Sequence, residues 1–323
     1  MVIMEYEHLE RTRYTRLFLW VGVLGFLCVL PLLFSRFHIY FFTEVIIWGL
    51  FAMSFNLLLG HTGMLSFGHA TFFGIGAYTY ALLTKKAAMQ FIVSLSAAPV
   101  VGLLASVIIG FFCVRNKGLY FSFLTLAFNQ MVYLVLYRWY GFTGGEDGII
   151  NVPIPGWLSN VTNAYYFALA VSVPCLYFLL RITNSSFGSV LHAIRDNPER
   201  AKFSGLKVLR FQLASFSIAG FFGAVAGALY VIITRAAFIE YIGLEAGIAP
   251  LFACLLGGMR TFYGPLLGAA LIVALDKLLG AYTQYWSAIT GIAVIMIAIT
   301  FPKGILGFLK QKALKRAQTD LQL

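Results

Sequence analysis

Apolar runs long enough to cross a bilayer recur along almost the whole sequence. A hydrocarbon core about 30 Å thick requires about 20 mainly apolar helical residues, and a spanning segment must satisfy its own backbone hydrogen bonds. Only 11% of the 323 residues are charged, whereas a soluble domain carries about 25%. The sequence therefore predicts an all-α integral membrane protein. Ten spans are predicted, at 17–34, 40–59, 67–84, 90–113, 118–137, 164–182, 210–233, 246–258, 262–280 and 283–301.

The distribution of basic residues predicts the orientation of these spans, because cytoplasmic loops carry an excess of Lys and Arg. Cations precede the first span and follow the last: Arg11, Arg13, Arg16, Lys303, Lys310, Lys312, Lys315 and Arg316. We therefore expect cytoplasmic segments at 1–16 and 303–323 around a membrane domain at 17–302, in the inner membrane. The net charge of +11 then reports orientation and not nucleic-acid binding.

The number of spans is ten or nine. The eighth run, 246–258, is short, and the third, 67–84, borders glycine-rich segments, so either could be a broken or re-entrant helix. Two cytoplasmic termini require an even number, which favours ten. The same parity places Arg115, Lys117 and Arg260 in the cytoplasm and leaves four cations outside, against the rule: Lys85, Lys86, Arg138 and Arg235.

Two long polar interruptions divide the apolar runs and fall on opposite sides of the predicted membrane. Loop 138–163 is rich in glycine, proline and tryptophan, which predicts a structured external loop that is either a connector or a docking surface. Loop 183–209 is predicted to be cytoplasmic, and its charged residues are unusual in so apolar a chain.

A short helix is predicted inside loop 183–209. Asp196 or Asn197 can cap its free N–H groups, Pro198 suits the first helical position, and Gly205 supplies the stop. A helix of about two turns is not stable alone in water, so it needs a partner. It offers two apolar contacts, Ala201 and Phe203, for docking into a groove on a soluble protein. The alternative is a basic loop that only fixes topology.

No catalytic set is visible. The sequence contains neither a Gly-x-x-x-x-Gly-Lys-Ser/Thr loop nor HExxH, and no nucleophile stands beside a base. The four cysteines are widely spaced, without the spacing of a metal site. We therefore expect no enzymatic activity, no cofactor and no metal.

An internal echo predicts two related halves. The segment LLGHTGMLSFG at 58–68 is matched by LLGGMRTFYG at 255–264 once one residue is skipped. Each breaks an apolar run with glycines, and paired Gly-interrupted segments are typical of the substrate path of transporters. We expect the Gly-interrupted parts, 60–68 and 257–264, to approach each other near the membrane centre and to help shape the path. Helix packing could use the same glycines.

The charged segment and four further blocks resemble a known family. Residues 199–205 resemble the Glu-Ala-Ala-x-x-x-Gly coupling loop of ABC importer permeases, with Arg200 in place of the middle alanine. The other blocks are LLLGHTGMLSFGHATFFGIGAYT (57–79), GLYFSFLTLAF (118–128), GFTGGEDGI (141–149) and LLGGMRTFYGPLLGAAL (255–271). In this order they resemble the LivM-type permeases of branched-chain amino-acid ABC importers, over nearly the whole chain.

The resemblance implies partners and a role for the charged helix. Such importers combine two homologous permeases, in a homodimer or a heterodimer, with two ATP-binding subunits and an extracytoplasmic substrate-binding protein, all held at the lipid membrane. The short helix would be a coupling helix that converts closure of the ATPases into movement of the spans. Its candidate residues are Arg195, Asp196, Asn197, Pro198, Glu199, Arg200, Ala201, Phe203 and Gly205.

Polar residues and bare backbone at membrane depth are the candidates for a substrate path. Free backbone groups at a broken helix suit the charged ends of an amino acid. The candidates are Asn56, Gly60, His61, Gly63, Ser66, Gly68, His69, Asn129, Gln130, Gly257 and Gly258. Polar residues considered beside them are Glu44, Thr71, Asp276 and Gln284, and Asp276 could instead form a neutral pair with Lys277.

Two other functions compete with amino-acid import. The same machinery could carry urea or a short amide, since related permeases do. An ion-coupled secondary transporter or channel would need no ATPase, and isolated membrane carboxylates such as Glu44 and Asp276 would favour it. The short helix at 195–205 and the family blocks favour the ATP-driven importer.

Overall fold

The computed structural model describes residues 22, 25–259, 261–280, 285–300 and 304–308. Within these ranges the chain is helical, without a β-strand, and residues 25–33 form the described part of the first predicted span. Several residues used to predict orientation or the path lie outside the described ranges: Arg11, Arg13, Arg16, Arg260, Gln284, Lys303, Lys310, Lys312, Lys315 and Arg316.

Eleven helices define the architecture of the described residues. They are α1 Arg36–Asn56, which continues as a π-helical turn Leu57–Thr62, α2 Ala70–Lys85, α3 Phe91–Cys113, α4 Leu119–Arg138, α5 Val161–Thr183, α6 Ser186–Asp196, α7 Pro198–Phe203, α8 Val208–Thr234, α9 Leu244–Gly257, α10 Gly264–Gly280 and α11 Trp286–Thr300. Shorter helical turns at Tyr140–Thr143, Gly156–Ser159 and Ile239–Ile242 lie in the links.

Five of these helices are long and apolar enough to cross a membrane: α1 with its π turn, α3, α4, α5 and α8. The prediction of an all-α, multi-pass membrane protein is therefore confirmed. The remaining apolar helices are shorter, at 16 residues in α2, 14 in α9, 17 in α10 and 15 in α11. The count of ten spans and the division into two halves stay predictions.

Helix α8 lies at the centre of the bundle and packs along α1, α2 and α3. Small residues allow this close approach. A Cβ atom built on Gly227 would lie 1.8 Å from the Phe73 carbonyl oxygen, and one built on Gly76 would lie 2.1 Å from that of Ala224. No larger residue fits at either position unless the backbones separate.

The link between α4 and α5 is an ordered structure, as predicted. Ile149 and Ala237 exchange backbone hydrogen bonds of 2.8 and 2.9 Å, which ties this link to the segment after α8. The Lys85 ammonium donates to the Ile150 carbonyl oxygen at 2.6 Å and so fixes the end of α2 to the same loop.

Candidate functional site

Two broken helices face each other where the sequence echo occurs. The π turn after α1 ends at Gly63, whose φ of 76° is left-handed, and α9 ends at Gly258, with a φ of 113°. A Cβ atom built on Gly60 would lie 2.3 Å from the Met259 carbonyl oxygen. The prediction that segments 60–68 and 257–264 approach each other is therefore confirmed. Glycine is required at Gly60 because the second break leaves no room for a side chain.

The contact between the breaks lies toward one end of helix α8, and its predicted position near the membrane centre stays a prediction. Thr62 Oγ1 lies 2.8 Å from Ser215 Oγ. Ser215 is the eighth residue of the 27-residue helix α8, so this level is about 10 Å along an axis of about 40 Å. We call this end, which carries α6 and α7, the α7 end, and the opposite one the far end.

Helix α6 holds the first break from the outside. The Arg195 Nη1 group donates a hydrogen bond to the Gly60 carbonyl oxygen. The His61 and His192 rings lie beside each other with centroids 5.0 Å apart. A Cβ atom on Gly63 would lie 2.7 Å from Arg195 Cγ, so this glycine also makes room for the arginine. Arg195 thus links the charged segment to the broken helix.

Helix α7 has the predicted start and stop. The Asn197 Oδ1 atom accepts hydrogen bonds from the N–H groups of Glu199 and Arg200, at 3.1 and 2.9 Å, so the cap is Asn197 and not Asp196. Gly205 adopts a left-handed φ of 83° after the last turn. This conformation lets the chain reverse directly into α8.

The two apolar residues of α7 face opposite ways. Phe203 is 92% exposed, whereas Ala201 is 5% exposed and packs against its own chain. The expectation that both offer docking contacts is therefore wrong for Ala201. A helix of six residues has too few positions for the sequence pattern alone to show which side faces inward.

Two buried polar residues next to the first break have unpaired side chains. Neither amide atom of Asn56 has a hydrogen-bond partner within the described structure, and the Ser66 hydroxyl has none either. A Cβ atom on Gly60 would lie 2.3 Å from Asn56 Oδ1, which places this amide directly at the break. Buried polar groups are normally paired, so these two can bind a polar solute or water.

The middle of the bundle holds His69 in a packed site. Its Nε2 atom lies 2.9 Å from Ser54 Oγ, and its ring stacks on Phe51 with centroids 5.1 Å apart. The described residues contain no group of three His, Cys, Asp or Glu side chains that could hold a metal ion. His69, a candidate for the substrate path, is therefore held by hydrogen bonding and ring packing in this structure.

Asn129 and Gln130 are adjacent in sequence but face opposite directions. Asn129 is fully buried, where it accepts a hydrogen bond from Thr71 Oγ1 at 2.7 Å and donates to the Ile242 carbonyl oxygen at 2.8 Å. Gln130 is exposed on the outer side of α4. The structure therefore does not bring these two residues into one site with the breaks, and Asn129 fastens α4 to α2.

The far end contains an ion pair between a buried carboxylate and a half-buried ammonium group. The Lys277 ammonium lies 3.0 Å from Glu44 Oε2, and Tyr230 donates to Glu44 Oε1 at 3.0 Å. The same ammonium lies 5.4 Å from the centre of the Tyr40 ring. Lys277 therefore pairs with Glu44 of α1, and the alternative pairing with its neighbour Asp276 is wrong.

The structure joins two sets of residues that the sequence analysis kept apart. Arg195 belongs to the predicted coupling set and Gly60 to the predicted path set, yet they share a hydrogen bond. Sequence reasoning did not find His192, which contacts His61, or Tyr230, which contacts Glu44. It also did not find Ser215, which contacts Thr62 at the first break. The polarity of Ser215 inside an apolar span was the available signal.

The comparisons with known proteins agree on one family. The chain is 28% identical over 305 residues to the high-affinity branched-chain amino acid transport system permease protein LivM of Salmonella typhimurium, which covers 85% of this chain and 71% of the relative. It is 28% identical over 320 residues to LivM of Escherichia coli, covering 90% and 75%. The LivH permease of Salmonella typhimurium is 22% identical over 291 residues, covering 80% and 91%.

No solved structure matches the chain. The family described as "Branched-chain amino acid transport system / permease component" matches residues 37–299, which include both helix breaks, α6 and α7. The chain therefore belongs to the family of permease components of branched-chain amino acid transport systems.

Proposed function

We propose that this chain is the membrane-spanning permease subunit of an ATP-driven importer of branched-chain, hydrophobic amino acids. It pairs with a second, homologous permease and works with two ATP-binding subunits and an extracytoplasmic binding protein. The family match over 37–299 and the similarity to both LivM and LivH support this assembly. We expect no ATP hydrolysis by the chain itself, since its sequence has no phosphate-binding loop.

In this proposal the α7 end is cytoplasmic, in an inner membrane crossed ten times by two related halves. Both termini and the loop 183–209 lie on that side, and loop 138–163 lies outside. The cations Arg115 and Lys117 stand beside α7, as the positive-inside pattern requires. The similar breaks after α1 and α9 support two halves, because each helix ends at a left-handed glycine before the next begins.

The hydrogen bond between Arg195 and Gly60 is the contact through which movement of α7 would reach the helix breaks. Helix α7 presents Phe203 to a partner, and α6 connects α7 to the first break through Arg195. Gly60 in turn lies against Met259 in the second break. Movement of α7 by an ATPase therefore reaches both breaks through two contacts, and the unpaired Asn56 and Ser66 lie where the path would open.

The far-end ion pair argues against an ion-coupled transporter. Glu44, a carboxylate that would favour such coupling, is neutralised by Lys277 and hydrogen-bonded by Tyr230. A carboxylate that binds a coupling ion would need to be without a fixed cation, whereas Glu44 already has Lys277 and Tyr230 as partners.

The test is transport by the reconstituted complex. The chain is co-expressed with its second permease and ATPases, placed in vesicles with the binding protein, and assayed for uptake of labelled leucine. We expect uptake only with ATP, and no ATP hydrolysis by the chain alone.

Glu199→Lys and Gly205→Pro are expected to abolish uptake while the complex still assembles. Uptake driven by an ion gradient without ATP would overturn the proposal, and uptake of urea or acetamide in place of leucine would change its substrate.

A further inference from the structure

A large cleft opens at the α7 end. It has a volume of about 1220 Å³ and lies between the turn that joins α3 to α4, helix α7 and the start of α8. Gly63, Met64 and Leu65, which follow the first break, form part of its wall. The cleft therefore reaches from the charged surface to the segment that we propose to move.

The charge in this cleft is strongly one-sided. The only carboxylate among its described lining residues is Glu199. Six cations line it: Arg115, Lys117, Arg195, Lys202, Lys207 and Arg210. Glu199 lies 3.6 Å from Lys117, in a pair whose side chains are 75% and 80% exposed. Within the described ranges no carboxylate pairs with Lys202, Lys207 or Arg210. An anion is therefore the ligand that the cleft favours.

The rim of the cleft is apolar on the side of the spans. Leu119, the first residue of α4, is 68% exposed, and Leu209, at the start of α8, is 55% exposed. Both stand at the ends of helices that are long enough to cross the membrane, so they lie at the depth where headgroups meet acyl chains. Arg115 lies 4.2 Å from the centre of the Phe111 ring, another exposed side chain at this level.

We propose that this cleft binds an anionic phospholipid. The phosphodiester lies among Arg115, Lys117 and Arg210, and an acyl chain runs over Leu119 and Leu209. Basic pockets at the cytoplasmic ends of spans suit such headgroups, since each cation near an anionic lipid contributes favourably. A soluble anion would use the cations and leave the apolar rim exposed. The bound lipid joins the α3–α4 turn to the start of α8 and braces α7 between them.

The consequence for transport rests on the proposed function, whereas the binding itself does not. The binding test therefore uses the purified chain in detergent, without ATPases or substrate. Native mass spectrometry compares retention of dioleoyl phosphatidylglycerol with that of dioleoyl phosphatidylcholine. We expect the anionic lipid to be retained about tenfold more strongly. Equal retention of the two lipids by the unchanged protein would overturn the proposal, whatever any variant does.

Matched triple variants locate the site. Arg115→Gln, Lys117→Gln and Arg210→Gln together are expected to lower phosphatidylglycerol retention about tenfold. The control carries Lys85→Gln, Lys86→Gln and Arg138→Gln, which remove the same charge at the far end, and it is expected to retain the lipid. Equal loss in both variants would show a general charge effect and overturn the site.

Two further experiments distinguish binding of a phospholipid from binding of a soluble anion or of a protein. Inorganic phosphate and glycerophosphoglycerol, the headgroup without acyl chains, are added as competitors. We expect neither to displace the lipid at millimolar concentration, and displacement by either would overturn the role of the apolar rim. Purified ATPase subunits are added last. If they expel the lipid and the first triple variant fails to bind them, the cleft is a protein interface and the lipid proposal fails.

Discussion

The two ends of the bundle hold their buried polar groups in different ways. At the α7 end no buried ion pair of the described residues holds the helices: Arg195 donates to the carbonyl oxygen of Gly60 and Thr62 pairs with Ser215, next to two helices that end at left-handed glycines. At the far end the partners are side chains of unbroken helices, with Glu44 bound by Lys277 and Tyr230. We call the hydrogen bond from Arg195 to Gly60 the bridge and the ion pair of Glu44 with Lys277 the clamp.

The difference indicates which end moves. A helix that ends in a π turn and a glycine can change its last turn at low cost, because few backbone hydrogen bonds continue across the break. The pair of Glu44 and Lys277 is costly to separate because the buried Glu44 carboxylate would be left without its cation, although Lys277 is partly exposed. We therefore expect the α7 end to respond to the ATPases while the far end keeps α1, α8 and α10 together.

The largest expected effect comes from removing the bridge. Arg195→Met keeps an unbranched apolar stem but is shorter and cannot donate to Gly60, so we expect ATP-driven uptake to fall more than tenfold while ATP hydrolysis by the complex continues. Uptake per ATP hydrolysed in vesicles measures this. Arg181→Met removes an exposed charge from α5, outside the coupling set, and is the control, with uptake near that of the unchanged protein. If both variants transport alike, Arg195 does not connect α7 to the break.

The next effect concerns the far-end clamp. Glu44→Gln leaves the Lys277 ammonium without its counter-charge, and because Lys277 is partly exposed we expect a loss of about 1–3 kcal/mol in stability. Thermal unfolding in detergent should show a lower midpoint temperature for Glu44→Gln. The double variant Glu44→Gln/Lys277→Gln should regain part of the lost midpoint temperature. Glu240→Gln, at an exposed site, is the control. An unchanged midpoint in Glu44→Gln would show that the ion pair does not stabilise the far end, and the proposed difference between the two ends would be wrong.

A smaller effect is expected at the cap of α7. Asn197→Ala removes acceptors for two backbone N–H groups and should destabilise this helix by about 1 kcal/mol. Asp196→Ala is the matched control, since its neighbour provides the cap. Amide hydrogen exchange at 199–203 should rise about fivefold in the first variant only. Equal exchange in the two would show that contacts of Ala201, and not the cap, hold α7 in place.

Local signals account for the features that the sequence predicted correctly. The cap, proline and glycine of α7 are all within a few residues of each other, and so are the glycines that break α1 and α9. The bridge and the clamp could not be predicted, because each joins residues far apart in the chain: Arg195 and Gly60 are 135 positions apart. Which carboxylate meets Lys277 depends on how α10 packs on α1, and a single sequence does not contain that information.

The smallest effect tests the bridge by pH. Burial, and then the charge of Arg195, lower the pKa of His192, while Asp196 opposes this. His192 faces the His61 ring as well as these two charges. Since the unfolded pKa is about 6.5 and the folded one is lower, the neutral ring favours the folded contact. The contribution of the neutral His192 ring to stability is complete above pH 6.5 and is lost as pH falls below this value.

Amide exchange in α6, corrected for intrinsic rates, should therefore increase between pH 7 and pH 5.5, and His192→Gln should remove most of this increase. An unchanged pH dependence in His192→Gln would assign the titration to another group and leave the Arg195 bridge insensitive to pH in this range.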